Sequence, residues 1–312
     1  MTTDLSDGTA TASGGRAAAH RAPFSDVCAV RRIDHDSGTD DAATYRGVIA
    51  DTWTVGPKVH GGTMVAGSAA AATAWLRESD PERAAMSPIA VSSDFLGAPE
   101  PGEVEYEVRT RKVGRQICLV DVTLTQGGKP RVRSALTFGH LDDAAPIFPS
   151  AAVAGDAAGQ VHHDMPAEPS RDAVGYEDSP LGKVVNVSAG ADLAMDGSWA
   201  PFLTGGTGLP RLRLWIRPFE GDRSDPEVAA YFAMMAADIS PPVPMNLGHF
   251  GWAPTVQMTT YLRRRPAPGW LRVVATTHEI GERMFDCDQL VLDSTGAVVA
   301  QSRQLALLPQ QR

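Results

Sequence analysis

Three polar residues in apolar surroundings are the part of this sequence best suited to chemistry. Asp238 lies in AADISPP, at the end of a stretch that is apolar on nearly all sides, Thr255 lies in APTVQ and Gln304 lies in AQSRQLAL. Burying a carboxylate costs free energy and raises its pKa, so such a group is costly without a role. Beside a hydroxyl and an amide, it can act as a general base that holds a water molecule.

The segment around Gln304, from Val298 to Pro309, has the alternation of a β-strand. One alternating set of side chains is small or apolar apart from Ser302 and Gln304, and this set is predicted to face the core. A buried amide without partners costs about 1–3 kcal/mol. The strand therefore raises the question of what Gln304 bonds to.

An internal repeat predicts the elements that position these residues. The segments that start at Pro88 and Pro254 each begin as a strand, reach a Pro-Gly turn and continue through three more strands. The offset between them grows from 166 (254 − 88) to 168 (302 − 134), which requires two single-residue insertions at turns. An apolar helix precedes each segment, from His60 to Leu76 and from Pro226 to near Ser240. Each half is thus predicted to be a short strand, a long buried helix and four antiparallel strands wrapped around that helix.

The two copies differ at the three polar positions. The first copy has apolar residues where the second has polar ones: Ala72 for Asp238, Ile89 for Thr255 and Leu136 for Gln304. The apolar residues indicate that these are interior positions. From the repeat alone, two interpretations stay open: a catalytic site in the second copy, or polar side chains that satisfy one another or are exposed in a slightly rotated copy.

From about Thr44 to Leu308 the chain resembles the acyl-CoA thioesterase II-type family of double hotdog proteins. VHGGTMVAGSAAAA is similar to the family's FGGQ helix entrance, and GKPRVRSALTF to the end of its first hotdog unit. APTVQMTTYLRRRP resembles the strand that ends in a basic-Pro turn, and VVAQSRQLAL the last strand. The resemblance implies an α+β double hotdog fold, with two antiparallel sheets each wrapped around a long central helix.

The resemblance also implies a site and a reaction. The family's Asp, Thr and Gln, which hold a nucleophilic water, fall on Asp238, Thr255 and Gln304. The implied activity is hydrolysis of acyl-CoA to free fatty acid and coenzyme A, with no cofactor and no metal ion. The chain departs from the family at Gln257, where relatives often have Asp, and at an extra Arg265 before the proline.

Two further groups are candidates for substrate binding. The first comprises His60, Gly61 and Gly62, whose glycines either allow close packing at a helix N-terminus or present backbone N–H groups to a carbonyl or phosphate. Arg263 and Arg264 belong to a basic cluster in an acidic chain. That cluster is either a solvated strand end or a contact for the phosphates of coenzyme A.

Other functions on this fold are weighed against hydrolysis. An acyl-CoA hydratase or dehydratase would need a histidine shortly after the aspartate, and Asp238 is followed by Ile-Ser-Pro-Pro, with His249 the nearest histidine. A non-catalytic acyl-CoA or lipid-binding protein stays open as an alternative.

Composition bounds the remaining expectations. The chain has 312 residues and a net charge of −9, which argues against nucleic-acid binding, and it has no apolar run that could span a membrane. Three cysteines without a disulfide pattern favour a cytoplasmic location. We expect a disordered tail (1–25), an N-terminal hotdog unit (26–140), a linker (141–182) and a C-terminal unit with the active site (183–312), in a chain that could form a homodimer.

Overall fold

The structure is a computed structural model that describes residues 23–33, 41–142, 144–147 and 164–309. The α-helices in these ranges are α1 (Pro23–Cys28), α2 (Gly61–Ser79) and α3 (Pro226–Ala236). None of the helices in the described ranges is long and apolar enough to cross a membrane.

The strands of the described residues form one large sheet and one small ribbon. They are β1 (Arg31–Arg32), β2 (Ala42–Ile49), β3 (Thr54–Val55), β4 (Lys58–Val59), β5 (Ser87–Phe95), β6 (Gly102–Lys112), β7 (Cys118–Gln126), β8 (Lys129–Gly139), β9 (Ala173–Gly175), β10 (Ala191–Asp196), β11 (Arg211–Pro218), β12 (Thr255–Leu262), β13 (Leu271–Thr276), β14 (Met284–Leu292) and β15 (Val298–Leu307). Thirteen of them form an antiparallel sheet in the order β1-β2-β6-β7-β8-β5-β12-β15-β14-β13-β11-β10-β9, and β3 pairs with β4.

The repeat predicted from the sequence is present in this sheet. Each half contributes a strand, a helix and four more strands: β2, α2 and β5 to β8 in the first half, and β11, α3 and β12 to β15 in the second. The order β2-β6-β7-β8-β5 of the first half continues as β12-β15-β14-β13-β11, its mirror image. The element order within each copy is therefore confirmed.

The two halves share a single sheet, where two sheets were expected. Strands β5 and β12 pair in antiparallel fashion, with Ser92 opposite Thr259 and their hydroxyl oxygens 3.0 Å apart. The register is symmetric around this pair. Two residues to one side Gln257 pairs with Asp94, and two residues to the other side Tyr261 pairs with Ala90. Edge strands leave backbone N–H and C=O groups unpaired, and here the two halves satisfy each other's edges.

The helices α2 and α3 pack against each other and against the strands of their own halves. The first turn of α2 lies beside the C-terminal end of α3, and at the opposite ends Arg77 pairs with Glu227, so the two helices run antiparallel. On β15, buried Ser302, Gln304 and Ala306 alternate with exposed residues, which confirms the predicted core-facing set there. Val299 is also buried, next to the irregular register between β14 and β15.

The register of the copies corrects one predicted equivalence. Thr255 pairs with Ala306 just before a β-bulge, and Pro88 pairs with Phe138 just before a bulge in the first half. Thr255 is therefore equivalent to Pro88, not to Ile89, because the offset has already reached 167 (255 − 88) at the start of the strand. Leu136 and Gln304 keep the predicted offset of 168, since they pair with Val91 and Met258 respectively.

The helix that was expected to reach Ser240 ends earlier. Its last residue is Ala236, and Asp238 lies in the turn beyond it, whereas Ala72 lies inside α2. The last turn closes with hydrogen bonds that span three residues instead of four. They run from the N–H of Asp238 to the carbonyl of Met235 (3.1 Å) and from the N–H of Ile239 to the carbonyl of Ala236 (3.3 Å). Asp238 is thus held on a turn, and its position depends on neighbouring elements.

The predicted tail and linker are partly ordered. Residues 1–22 lie outside the described residues, but Pro23 to Ser25 begin α1, where Phe24 packs edge-on against Trp53 and Phe232. The carboxylate of Asp222 accepts hydrogen bonds from the N–H groups of Phe24 and Ser25. In the predicted linker, residues 143 and 148–163 are outside the described part, and β9 pairs with β10. The linker's C-terminal end therefore belongs to the sheet of the second half.

Candidate active site

Asp238 lies where the ends of the two antiparallel helices meet. Strand β15 holds the end of α3, because the hydroxyl of Ser302 donates to the carbonyl of Ala237. The side chain of Asp238 is 9% exposed. Its carboxylate faces the first turn of α2, and the N–H of Gly62 donates a hydrogen bond to it. A helix N-terminus is a favourable place for a negative charge.

His60 is the N-cap residue of α2 and contacts the same aspartate. Its Nε2 lies 3.0 Å from the backbone carbonyl oxygen of Asp238 and 3.6 Å from the carboxylate atom Oδ2. The contact joins residues 178 positions apart in the chain. Sequence reasoning assigned His60 to substrate binding, and no pattern in the sequence indicates its contact with Asp238.

The two glycines allow this close approach. A Cβ atom on Gly61 would lie 2.5 Å from Oδ2 of Asp238, and one on Gly62 would collide with the carbonyl oxygen of Met235. Neither position has room for a side chain unless the end of α3 moves. Of the two alternatives for the Gly-Gly pair, close packing at a helix N-terminus is thus observed directly.

Thr255 and Gln304 come together on neighbouring strands of the second half. The hydroxyl of Thr255 donates a 2.6 Å hydrogen bond to Oε1 of Gln304. Gln304 is buried and also hydrogen-bonds to Asp238, which favours the charged carboxylate. The structure therefore brings together all three residues singled out from the repeat.

The environment of Asp238 raises the pKa of its carboxyl above the ordinary value. Burial is the largest influence and disfavours the charged form. The charge of His60, the N–H of Gly62 and the side chain of Gln304 act in the opposite direction and lower the pKa, without cancelling the effect of burial. A carboxylate with a raised pKa is a stronger base than an exposed one.

Cys287 is the other titratable group beside the carboxylate. It pairs with Gln304 across β14 and β15 and is buried. Burial raises the pKa of its thiol, and the nearby charge of Asp238 raises it further. Because the thiolate is the reactive form of cysteine, Cys287 is unsuited to nucleophilic attack here. Sequence reasoning did not identify this neighbour of the site.

The structure does not bring Arg263 and Arg264 to this cluster. Thr255 begins β12 and Arg263 follows its last residue, so eight residues of extended chain, roughly 26 Å at 3.3 Å each, separate the two ends. The backbone N–H of Arg263 donates instead to the carbonyl of Val299, at the start of β15.

A separate group of side chains could be considered for a metal ion. Among the described residues, His278, Asp286 and Asp288 bring their ligand atoms close together on an exposed surface. Arg303 pairs with both carboxylates, and backbone N–H groups of His278 and Glu279 donate to Asp286. These contacts already satisfy the carboxylates, and the group lies on the solvent-exposed side of β14 and β15, where Arg303 is exposed.

Two domain models from one protein family match the two halves of the chain. An acyl-CoA thioesterase N-terminal domain model matches residues 49–139, and an acyl-CoA thioesterase C-terminal domain model matches residues 162–308. An uncharacterised protein of Mycobacterium tuberculosis is 39% identical over 298 residues, covering 92% of this chain and 99% of that protein.

Two solved structures share the architecture. A Thermobifida fusca YX protein, provisionally assigned as a thioesterase II, is similar with a TM-score of 0.72 and 25% identity, covering 92% of this chain and 97% of that chain. A protein of unknown function with a hot dog fold from Alicyclobacillus acidocaldarius has a TM-score of 0.67 and 18% identity, covering 93% of this chain and 98% of that one. The large antiparallel sheet with few helices is thus of the hotdog type.

Proposed function

Since the chain belongs to the acyl-CoA thioesterase family, we propose that it hydrolyses acyl-CoA to a free fatty acid and coenzyme A without a cofactor. The observation that carries this proposal is the buried carboxylate of Asp238 beside the hydrogen-bonded pair of Thr255 and Gln304. A base, two groups that can orient water and a helix N-terminus meet there. These are the parts that hydrolysis of a thioester requires.

In the proposed mechanism, Asp238 is the general base. Its carboxylate accepts a proton from a water molecule held by Thr255 and Gln304, and the water oxygen attacks the thioester carbonyl carbon. The N–H of Gly62 is engaged by Asp238, so Gly61 is the better candidate to donate its backbone N–H to the oxyanion. The C–S bond then breaks and coenzyme A leaves as a thiolate, which takes up the proton from Asp238 directly or through solvent.

We also propose the finer division of the fold into two hotdog units, each formed by one half of the sheet curved around its own helix. The match of the C-terminal domain model from residue 162 and the pairing of β9 with β10 favour a second unit that begins before the predicted boundary at 183. A homodimer, a cytoplasmic location and phosphate contacts from Arg263 and Arg264 stay predictions.

A second candidate, an acyl-CoA hydratase or dehydratase, is favoured by one observation. The sequence argument against it was that no histidine follows Asp238 closely. In the folded chain, His60 belongs to the first half, and its imidazole lies 3.6 Å from the carboxylate of Asp238 in the second half. An imidazole and a carboxylate in contact can exchange protons with a substrate as an acid–base pair.

One experiment separates the candidates. Purified protein is incubated with saturated and 2-enoyl acyl-CoA thioesters of several chain lengths, and both free thiol and hydrated product are measured. We expect thiol release, reduced about 10²–10⁴-fold in kcat by Asp238→Asn, which keeps the shape of the side chain but cannot accept the proton. Hydrated product without thiol would favour the hydratase, and acyl-CoA binding with neither product would favour a binding protein.

A further inference from the structure

We propose that His60 is a positioning residue for the proposed hydrolysis, so that an imidazole from the first half of the chain fixes the general base of the second half. The proposal rests on the proposed function of Asp238. It assigns to His60 a role other than the substrate contact predicted from the sequence.

The contacts of His60 define which nitrogen carries the proton. A backbone carbonyl can only accept a hydrogen bond, so Nε2, at 3.0 Å from the carbonyl oxygen of Asp238, is the donor. In the neutral imidazole Nδ1 is then an acceptor, and the hydroxyl of Thr63 lies 3.3 Å from it. His60 and Thr63 are both buried. The hydrogen bonds therefore run in one direction, from Thr63 to His60 and from His60 to Asp238.

The turn that carries Asp238 needs such a partner. Because α3 ends at Ala236, the carbonyl of Asp238 has no helical N–H to accept from. The hydroxyl of Ser302 satisfies the preceding carbonyl, that of Ala237, and His60 satisfies the carbonyl of Asp238. Loss of the imidazole would leave a buried acceptor unpaired and free the turn to shift, and a small shift of the carboxylate is enough to slow catalysis.

The side chains of His60 and Thr63 flank the glycine pair in the order His60-Gly61-Gly62-Thr63. They contact each other through Nδ1 of His60 and the hydroxyl of Thr63. A phenylalanine at position 60 could fill the space but could not donate to Asp238.

The same contact influences the ionisation of Asp238. The titratable groups that face its carboxylate are His60 from α2 and Cys287 from β14, and Gln304 and Thr255 are neutral. Burial keeps the thiol of Cys287 protonated by raising its pKa. The contact with His60 lowers the pKa of Asp238, so a variant without the imidazole should have this pKa higher than wild type.

The kinetic test compares wild type with His60→Phe, His60→Gln and, as a control at an exposed site, His140→Phe. We expect His60→Phe to lower kcat on the order of tenfold with little change in KM, and to move the acid limb of the kcat–pH profile to higher pH. His60→Gln keeps an N–H donor and should recover part of kcat, and His140→Phe should match wild type. Thermal melts check that each variant is folded. Wild-type kcat and an unmoved acid limb in folded His60→Phe would overturn the proposal.

A second measurement does not depend on turnover. In protein labelled with ¹⁵N-histidine, the ring signals of His60, assigned by their loss in His60→Phe, should show the neutral Nε2–H tautomer at alkaline pH and should shift in Asp238→Asn. An Nδ1–H tautomer would overturn the proposal even if the protein is an active thioesterase. Absence of thiol release by wild type, with the expected tautomer present, would instead overturn the proposed function, and with it the catalytic purpose of the contact.

Discussion

The hydroxyl of Thr255 donates to the side-chain oxygen of Gln304 across 2.6 Å, and this contact fixes which way the buried amide points. Because the side-chain oxygen of Gln304 accepts from Thr255, its amide N–H groups are available to donate to the carboxylate of Asp238, which favours the charged form. The glutamine on a core-facing strand is thus bonded at both ends. Because each residue depends on the other, removing either side chain should slow hydrolysis, with different effects on stability.

Replacing Thr255 by Val should slow hydrolysis while leaving the fold intact. Valine keeps the β-branched shape that suits a strand but removes the hydroxyl that holds Gln304 and, in the proposed mechanism, the water. The loss of one such hydrogen bond should lower kcat about 10- to 100-fold. Thr259→Val makes the same change four residues along β12, at the junction with Ser92, and should retain kcat. Equal thiol-release rates for the two variants would contradict the role of Thr255.

Gln304→Leu introduces the residue found at the equivalent position of the first half, Leu136. We expect a midpoint of unfolding at least as high as that of wild type, since the variant replaces a buried amide by an apolar side chain in a core that accepts leucine in the other copy. Thiol release should nevertheless be strongly reduced, because Thr255 loses its acceptor and Asp238 loses a donor. Melting curves and kcat are measured on the same preparation. A loss of activity that accompanies unfolding would indicate a structural role instead.

Much of the fold follows from patterns that the sequence carries twice. The order of elements and the core-facing set on β15 could be predicted because side-chain alternation and turn residues are local properties. The register at Thr255 could not, because the sequence favoured aligning Pro254 with Pro88, whereas the strand pairing aligns Thr255 with Pro88 and gives both copies a bulge at the same place. The continuous sheet was missed because the pairing of β5 with β12 depends on how two halves dock.

The site divides in the same way. The sequence could single out Asp238, Thr255 and Gln304 because the repeat aligns each of them with an apolar residue in the first copy. The contact of His60 with Asp238 joins distant parts of the chain through the packing of two antiparallel helices, and no spacing in the sequence encodes it. The early end of α3 likewise depends on partners from β15 and α2 that capture its last carbonyl groups.

Gly62→Ala should lower kcat, whereas Gly67→Ala, which also introduces a steric clash on α2, should not. A methyl group there would meet the carbonyl oxygen of Met235 and lie 3.0 Å from Cβ of Asp238, so the end of α3 must move. We expect a loss of about 1–3 kcal/mol in the free energy of unfolding and a lower kcat in the protein that remains folded. Gly67→Ala would collide with the hydroxyl of Tyr106, and should lose stability with kcat retained. Stability is measured by denaturant unfolding and kcat by thiol release.

The raised pKa of Asp238 makes a prediction about stability as a function of pH. Burial raises this pKa in the folded state above the ordinary value of 3.8, so below pH 3.8 the carboxyl is neutral in both folded and unfolded chains. As pH rises from 3.8 through the folded pKa, the unfolded chain ionises first, and the folded state loses stability relative to it. An ionised Asp238 therefore destabilises the fold at neutral pH.

Asp238→Asn should accordingly be more stable than wild type at pH 7, with a difference that shrinks on acidification and vanishes near pH 3.8. Asp286→Asn is the matched control of opposite sign. Burial raises the pKa of Asp286, but hydrogen bonds from Glu279 and His278 outweigh burial and lower it below the ordinary value. That variant should be less stable than wild type at pH 7, with the deficit lost as pH falls through the folded pKa. Denaturant unfolding from about pH 2 to 8 measures both, and equal stability of Asp238→Asn and wild type at pH 7 would contradict a buried base with a raised pKa.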